Sequence, residues 1–430
     1  MILRLITSLL FFLSIIENSN AQFSNLQGGA NDPIRAFYSD SANNLLYVVG
    51  RFTQIGSKNI NQIAVWDGTE WNSFGNNDLF NSIHDVRCII KFNNQIVVGG
   101  TFDSIGNKLV NNIATWNGTS WEALGMGFDD YVSALYQYKG ELYAGGSFNF
   151  SGSKTIRALA KWNGQDWDTV GNFIGAVTSF EEYNNKLIIA GGFYQQTNPG
   201  DFIIGYDGAN WDTTYSKFNN TIVRVRNIND TLYACGLFTS IPVNNSNYLS
   251  AFYENFWHSM PIPTGGQNTI TDIVEYHNKK YVCGYFYNPP DMGVFNGIGY
   301  DSLFNASGFI ADLYVFNEKL FIAGQFFQTI AGQNYNCIIS YDDLVDGLEN
   351  ISDNHDTDLQ IYPNPSSDGK INIILSKKED AIIEVIRSDG KLIFQTASNE
   401  TFDIKLQAGF YIVKLITKYN KIISKKLIVL

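Results

Sequence analysis

Three sets of residues in this chain are of types that do chemistry. The four histidines, His84, His258, His277 and His355, are the candidates for a metal centre, because zinc and copper sites draw on imidazole nitrogens. The four cysteines, Cys88, Cys235, Cys283 and Cys337, could form two disulfides in an exported protein, yet none stands in a CxxC or other paired spacing. The third set is Arg35, Arg87 and Arg224 with Asp272 and Asp312. Guanidiniums can hold an anionic ligand, and carboxylates can act as acid and base on a glycosidic bond. Whether any set converges depends on the elements that carry it.

Those elements are repeats. An apolar pair leading into Gly-x-Phe recurs seven times, at Gly50/Phe52, Gly100/Phe102, Gly146/Phe148, Gly191/Phe193, Gly236/Phe238, Gly284/Phe286 and Gly324/Phe326. Successive glycines are 40 to 50 residues apart, the period of a four-stranded propeller blade. An aromatic follows each phenylalanine by 13 to 15 residues: Trp66, Trp116, Trp162, Tyr206, Phe252, Tyr300 and Tyr341. In the first three repeats it opens Trp-Asx-Gly-x-x-Trp, closing at Trp71, Trp121 and Trp167, and the fourth and fifth close at Trp211 and Trp257. Asp67-Gly68 and its counterparts predict a two-residue type I′ hairpin, with the two aromatics as diagonal neighbours on one face. Regular aromatic stripes of this kind fill cores, in preference to forming a glycan-binding ladder.

The third repeat shows the blade: strands over 132–138, 141–148, 158–162 and 166–170, from the axis outward. The residue before each motif glycine is small or slim, and Cys235 and Cys283 occupy that slot in separate repeats, which favours buried free thiols over a bridge. The seventh repeat runs out at Tyr341 without a fourth strand. Residues 23–38 align without a gap on 121–136, so the mature N-terminus should supply it, removing two unpaired edges. The expected fold is all-β, a seven-bladed propeller of four-stranded blades over 22–342.

The repeat resembles the kelch family, in which an apolar stretch also leads to Gly-Gly and a spaced Tyr/Trp pair; Gly99-Gly100, Gly145-Gly146 and Gly191-Gly192 carry the doublet here. Propellers host many unrelated activities, so the resemblance implies a fold only. Laid on this frame the histidines separate: His84 in a loop between blades, His258 on an outer strand, His277 in a turn on the opposite face, and His355 beyond the ring. A metal centre, including the copper site of some kelch-like oxidases, is therefore not expected, and neither is a cofactor. Asp67-Gly68-Thr69 lacks the preceding Ser-x-Asp spacing of a sialidase Asp-box. The five charged residues instead fall near the axis at the start of the inner strands, on the loop-rich face, where they either pair to line a wet channel or bind a ligand. This reading makes the protein a binding or adhesion module for an extracellular glycan or protein, with a glycan-active enzyme using Asp272 or Asp312 as the rival.

Both ends of the chain concern export. Residues 1–21 carry a basic start, an apolar run of about a dozen residues and Ser19-x-Ala21, the pattern of a signal peptide cleaved after Ala21. No later run is long enough to span a bilayer, so a soluble, monomeric mature chain is expected. The net charge of −12 excludes nucleic acid and anionic membrane as partners. From Asp358 onward, however, 11 Lys and Arg face 8 Asp and Glu, +3, leaving −15 upstream. An acidic aperiodic linker over 343–357 separates the regions, and short alternating runs over 358–430 predict a small Ig-like β-sandwich. This tail resembles the type A sorting domain of the type IX secretion system of certain Gram-negative bacteria. The resemblance rests on Tyr362-Pro363-Asn364-Pro365 with Gly369, on Gly409 and Tyr411 in Leu-x-x-Gly-Phe-Tyr, and on Lys425-Lys426 near the terminus. It implies recognition by the translocon, removal by a sortase-like peptidase, and a protein that is secreted or held at the outer-membrane surface.

Overall fold

The computed structural model of the chain describes residues 22–75, 85–195, 202–216, 218–240, 247–261, 269–285, 292–295, 299–304, 307–330, 333–342, 359–362, 370–375, 381–387, 391–398, 402–417 and 422–429. The leader over 1–21, the linker over 343–357, His84, His355, Pro363, Asn364, Pro365 and Gly369 lie outside them. The chain divides into two compact units, Met1–Leu344 and Val345–Leu430.

In the first unit the described residues form seven four-stranded antiparallel sheets. Their inner strands are Ile34–Asp40, Val86–Phe92, Val132–Tyr138, Phe173–Tyr183, Ile222–Ile228, Thr269–Tyr276 and Ser307–Phe316. Each lies beside the next and the last beside the first, so the sheets close into a propeller, numbered here from blade one at Ile34. The N-terminal strand Gln22–Ser24 pairs with Gln333–Asp342 of blade seven, placing Phe23 opposite Tyr341 with ring centroids 5.0 Å apart. The seam continues past the strand: Trp71 Nε1 of blade one donates to the Leu26 carbonyl (2.9 Å), and Ala30 N–H to the Asn336 carbonyl (2.9 Å).

The motif glycine has a steric cause. Every inner strand carries a β-bulge after its first core residue, and the glycine of the second strand faces it. A Cβ on Gly50, Gly100 or Gly146 would lie 2.1 Å from the carbonyl oxygen of Pro33, Asp85 or Tyr131. No side chain fits at that distance. The phenylalanine two residues on is then buried between blades, Phe52 at 0 % exposure and Phe102 and Phe148 at 1 %.

The outer hairpins differ from the two-residue turns expected. Within each Asx-Gly pair only the glycine has positive φ, and the strands pair Trp66 directly with Trp71 across a four-residue loop. The acidic or amide side chain stabilises this longer loop by accepting two successive N–H groups: Asp67 Oδ1 from Thr69 and Glu70, Asn117 from Thr119 and Ser120, Asn163 from Gln165 and Asp166, Asp207 from Ala209 and Asn210. Trp71, Trp121, Trp167 and Trp257 are buried, as core packing requires, and all four cysteines are buried free thiols.

The second unit has a three-stranded sheet (Leu359–Tyr362, Lys370–Leu375, Phe402–Lys405) and a four-stranded one (Ala381–Arg387, Leu392–Ser398, Gly409–Thr417, Ile422–Val429). Ile371 and Ile373 of the first share a core with Ile383, Val385, Val413 and Leu427 of the second. Tyr411 is buried with its hydroxyl donating to the Gln407 carbonyl (2.8 Å), whereas Lys425 and Lys426 lie along the last strand.

Candidate functional site

The bulge sorts the inner-strand residues into tiers around the axis. Arg35 and Arg87 sit on the bulge itself, whereas Arg224, Asp272 and Asp312 come one residue later and pair across to the second strand. The five therefore form two sets one residue apart along their strands. An extra residue in a bulge shifts facing by one, which sequence spacing alone conceals. Two residues further on stand Tyr136, Glu181, Arg226 and Tyr314. Residues of all three tiers line an axial cavity of about 460 Å³.

At the loop-rich end, Arg35 Nη2 bonds Asp85 Oδ2 at 3.0 Å, and the Arg87 guanidinium lies over the Tyr131 ring, 4.4 Å from its centroid. The loops around this end are pinned to one another. Asn31 Oδ1 accepts from Thr53 and Gln54 N–H, Asp129 Oδ1 from Asn149 and Phe150, and Asn219 Oδ1 from Thr239 and Ser240.

Deeper in, the same carboxylates that sequence offered as acid and base are engaged on every side. Asp272 takes a bidentate pair from Arg226 (Nε 2.9 Å, Nη2 2.7 Å) and the N–H of Leu313 in the next blade (3.1 Å). Asp312 binds Arg224 Nη2 at 3.0 Å and Arg226 Nη2 at 3.2 Å, and accepts the Phe37 N–H of blade one at 3.2 Å. Ser179, at the same position in blade four, likewise accepts the Val225 N–H of the next blade (3.1 Å). Asp272 is 0 % and Asp312 3 % exposed, while the Arg224 and Arg226 side chains keep 25 % and 27 %. Burial pushes both carboxyls up, but the Arg226 and Arg224 guanidiniums outweigh it at Asp272 and hold it well below the usual range. At Asp312 burial, reinforced by the Asp272 charge, prevails over the arginines and lifts the carboxyl to about 7. Burial likewise raises Glu181, which receives the Glu182 N–H at 3.1 Å.

Arg226 and Glu181 escaped the sequence reading. Their signal was alternation: Arg224-x-Arg226 puts both guanidiniums on one face of a strand. His258 stacks on Tyr253 at the outer edge of blade five and His277 lies in the turn after Tyr276, apart from the axial group. Among the described residues no group of three or more His, Cys, Asp or Glu is placed to hold a metal ion.

Residues 360–430 match the family of secretion system C-terminal sorting domains. This tail marks the chain as a secreted or cell-surface protein of the type IX route. No curated protein sequence matches the chain. Among solved structures, it is similar to a fungal alcohol oxidase of the AA5 family in complex with copper, at 8% identity over 95% of this chain and 99% of that one, TM-score 0.42. BamB from Moraxella catarrhalis gives 12% identity over 73% and 84%, TM-score 0.35, and Hsv2 from Kluyvelomyces marxianus 11% over 70% and 93%, TM-score 0.36. Likeness at this level says nothing about function.

Proposed function

We propose that the exported propeller is a binding module for an extracellular glycan or protein, engaged at the loop-rich end of its axial cavity. One observation carries the reading. Asp272 and Asp312 spend their oxygens on the next blade's amides and on Arg224 and Arg226, whereas the cavity beside them is open and lined by guanidiniums. Residues 1–21 act as the leader, cleaved after Ala21. The propeller over 22–342 is monomeric cargo, and 358–430 is read by the translocon and cut off by a sortase-like peptidase. A glycan array probed with the mature protein tests the binding: bound saccharides are expected without change in their length.

The Asp312 carboxyl, raised to about 7 at the cavity wall, favours the second reading, a glycan-active enzyme with Asp312 as proton donor. Hydrolysis of any array saccharide that disappears in Asp312→Asn establishes that reading and displaces the first. Persistence of binding in the same variant, with no hydrolysis by either protein, rejects it.

A further inference from the structure

Resting on the binding reading, we infer that the cavity takes the carboxylate of an acidic saccharide, with Arg87 as its anchor. The arginines around this end of the propeller differ in what they already hold. Arg51 is spent on Asp32 through two bonds (3.0 and 2.8 Å), Arg35 on Asp85 (3.0 Å), and Arg224 and Arg226 on the two buried aspartates. Of the four arginines that line the cavity, Arg35, Arg87, Arg224 and Arg226, Arg87 alone has, among the described residues, no carboxylate within ion-pair reach. Its guanidinium lies over the Tyr131 ring, 4.4 Å from the centroid, a cation–π contact that restrains the group while leaving its positive charge without a carboxylate partner. The planar fork of donors of an arginine matches a carboxylate in bidentate fashion.

The rest of the lining selects what carries the carboxylate. Beyond Arg87 the wall carries Tyr136 and Glu181, whose hydroxyl and carboxylate lie 3.4 Å apart, so further polar groups stand within the same cavity. Sugar rings combine hydroxyl groups with apolar C–H faces, and the lining mixes polar side chains with Phe37, Phe180 and Tyr314. A peptide would need strand edges or backbone donors and acceptors, whereas the backbone amides of Val225, Leu313 and Phe37 here are already bonded to side chains. A cavity of about 460 Å³ is of small-ligand size. A protein partner seeks a face of roughly 800 Å² instead.

The test is calorimetric titration of the mature full chain with three probes: trigalacturonate, neutral galactotriose, and the peptide Asp-Asp-Asp. Trigalacturonate is expected to bind at least about ten-fold more tightly than galactotriose, since only it supplies the partner for the guanidinium. Arg87→Ala should weaken trigalacturonate by roughly ten- to a hundred-fold, and Arg87→Lys by less, because it keeps the charge and loses the fork. The melting temperature of each variant shows that it is folded, and Arg87→Lys carries the test if the alanine variant is not. Equal affinity for the acidic and neutral saccharides, or full affinity in the folded Arg87 variants, overturns the inference and leaves the binding reading intact. Binding of the peptide alone overturns the saccharide class. Absence of binding by all three probes overturns the inference too, while the broader reading then stands or falls on the glycan array.

Discussion

Asp272 and Asp312 hold the same position in adjacent inner strands and both accept the next blade's amide, yet their environments divide them. Asp272 is chelated by Arg226 and stays ionised, whereas Asp312 shares the second nitrogen of that guanidinium with its neighbour. Asp272→Asn leaves Arg226 short of its counter-ion in a buried setting and should cost about 3–5 kcal/mol in denaturant unfolding at neutral pH. Asp312→Asn mimics a protonated carboxyl and should cost much less. Its effect is on pH dependence. A carboxyl raised from 3.8 to about 7 binds its proton more tightly in the folded chain, so its contribution is complete below about pH 4 and is lost as pH rises through 7. Asp272, depressed below its unfolded value, contributes slope only below about pH 5 and does so in both proteins alike. The stability gap between wild type and Asp312→Asn should therefore shift in favour of the wild type as pH falls from 7 to 4, and a constant gap would refute the raised carboxyl.

Elements are held by two repeated devices and one seam. Where the second strand crosses the bulge, Gly146 sits so near the Tyr131 carbonyl that a methyl group cannot be added without moving backbone. Gly146→Ala should cost about 1–3 kcal/mol or more by thermal unfolding. The seam rests on three paired residues of the N-terminal strand, the half-buried Phe23 ring and the Trp71 indole bond to Leu26. Phe23→Ala should lower stability by about 1.5 kcal/mol or more, at the lower end of a phenylalanine's burial because the ring is only partly covered. Deleting residues 22–30 should do more, exposing the edge of Gln333–Asp342 and promoting association. A monomeric profile in size-exclusion chromatography with an unchanged melting temperature after that deletion would mean that the ring is closed without it.

At the scale of the whole molecule the propeller and the tail are separate compact units, each with its own apolar core. Removing 358–430 should therefore leave the melting of the propeller unaltered and strand it in the periplasm, because the sorting family maps to 360–430 alone. Fractionation of cells expressing the truncated chain checks the second half of this statement, and normal yield in the medium would contradict it. The same separation lets ligand binding be measured before or after the tail is lost, with the same affinity expected.

Sequence by itself determined the repeats, the class of fold, the strand donated from the N-terminus and the sorting tail. All of these follow from local periodicity and from complementary gaps in a pattern, which the order of residues records directly: the aromatic missing after Tyr341 and the surplus Phe23 name each other. What only the tertiary structure decided is the grouping at the axis. The bulge in each inner strand decides how Arg35 and Arg87 face relative to Arg224, Asp272 and Asp312, and closure of the ring brings Asp312 of blade seven to the amide of Phe37. The pairing of Arg226 with both aspartates spans 46 and 86 residues of sequence. Facing and burial at such a site depend on a one-residue irregularity and on which strands become neighbours when the ring closes, and neither is encoded in the spacing of the residues concerned.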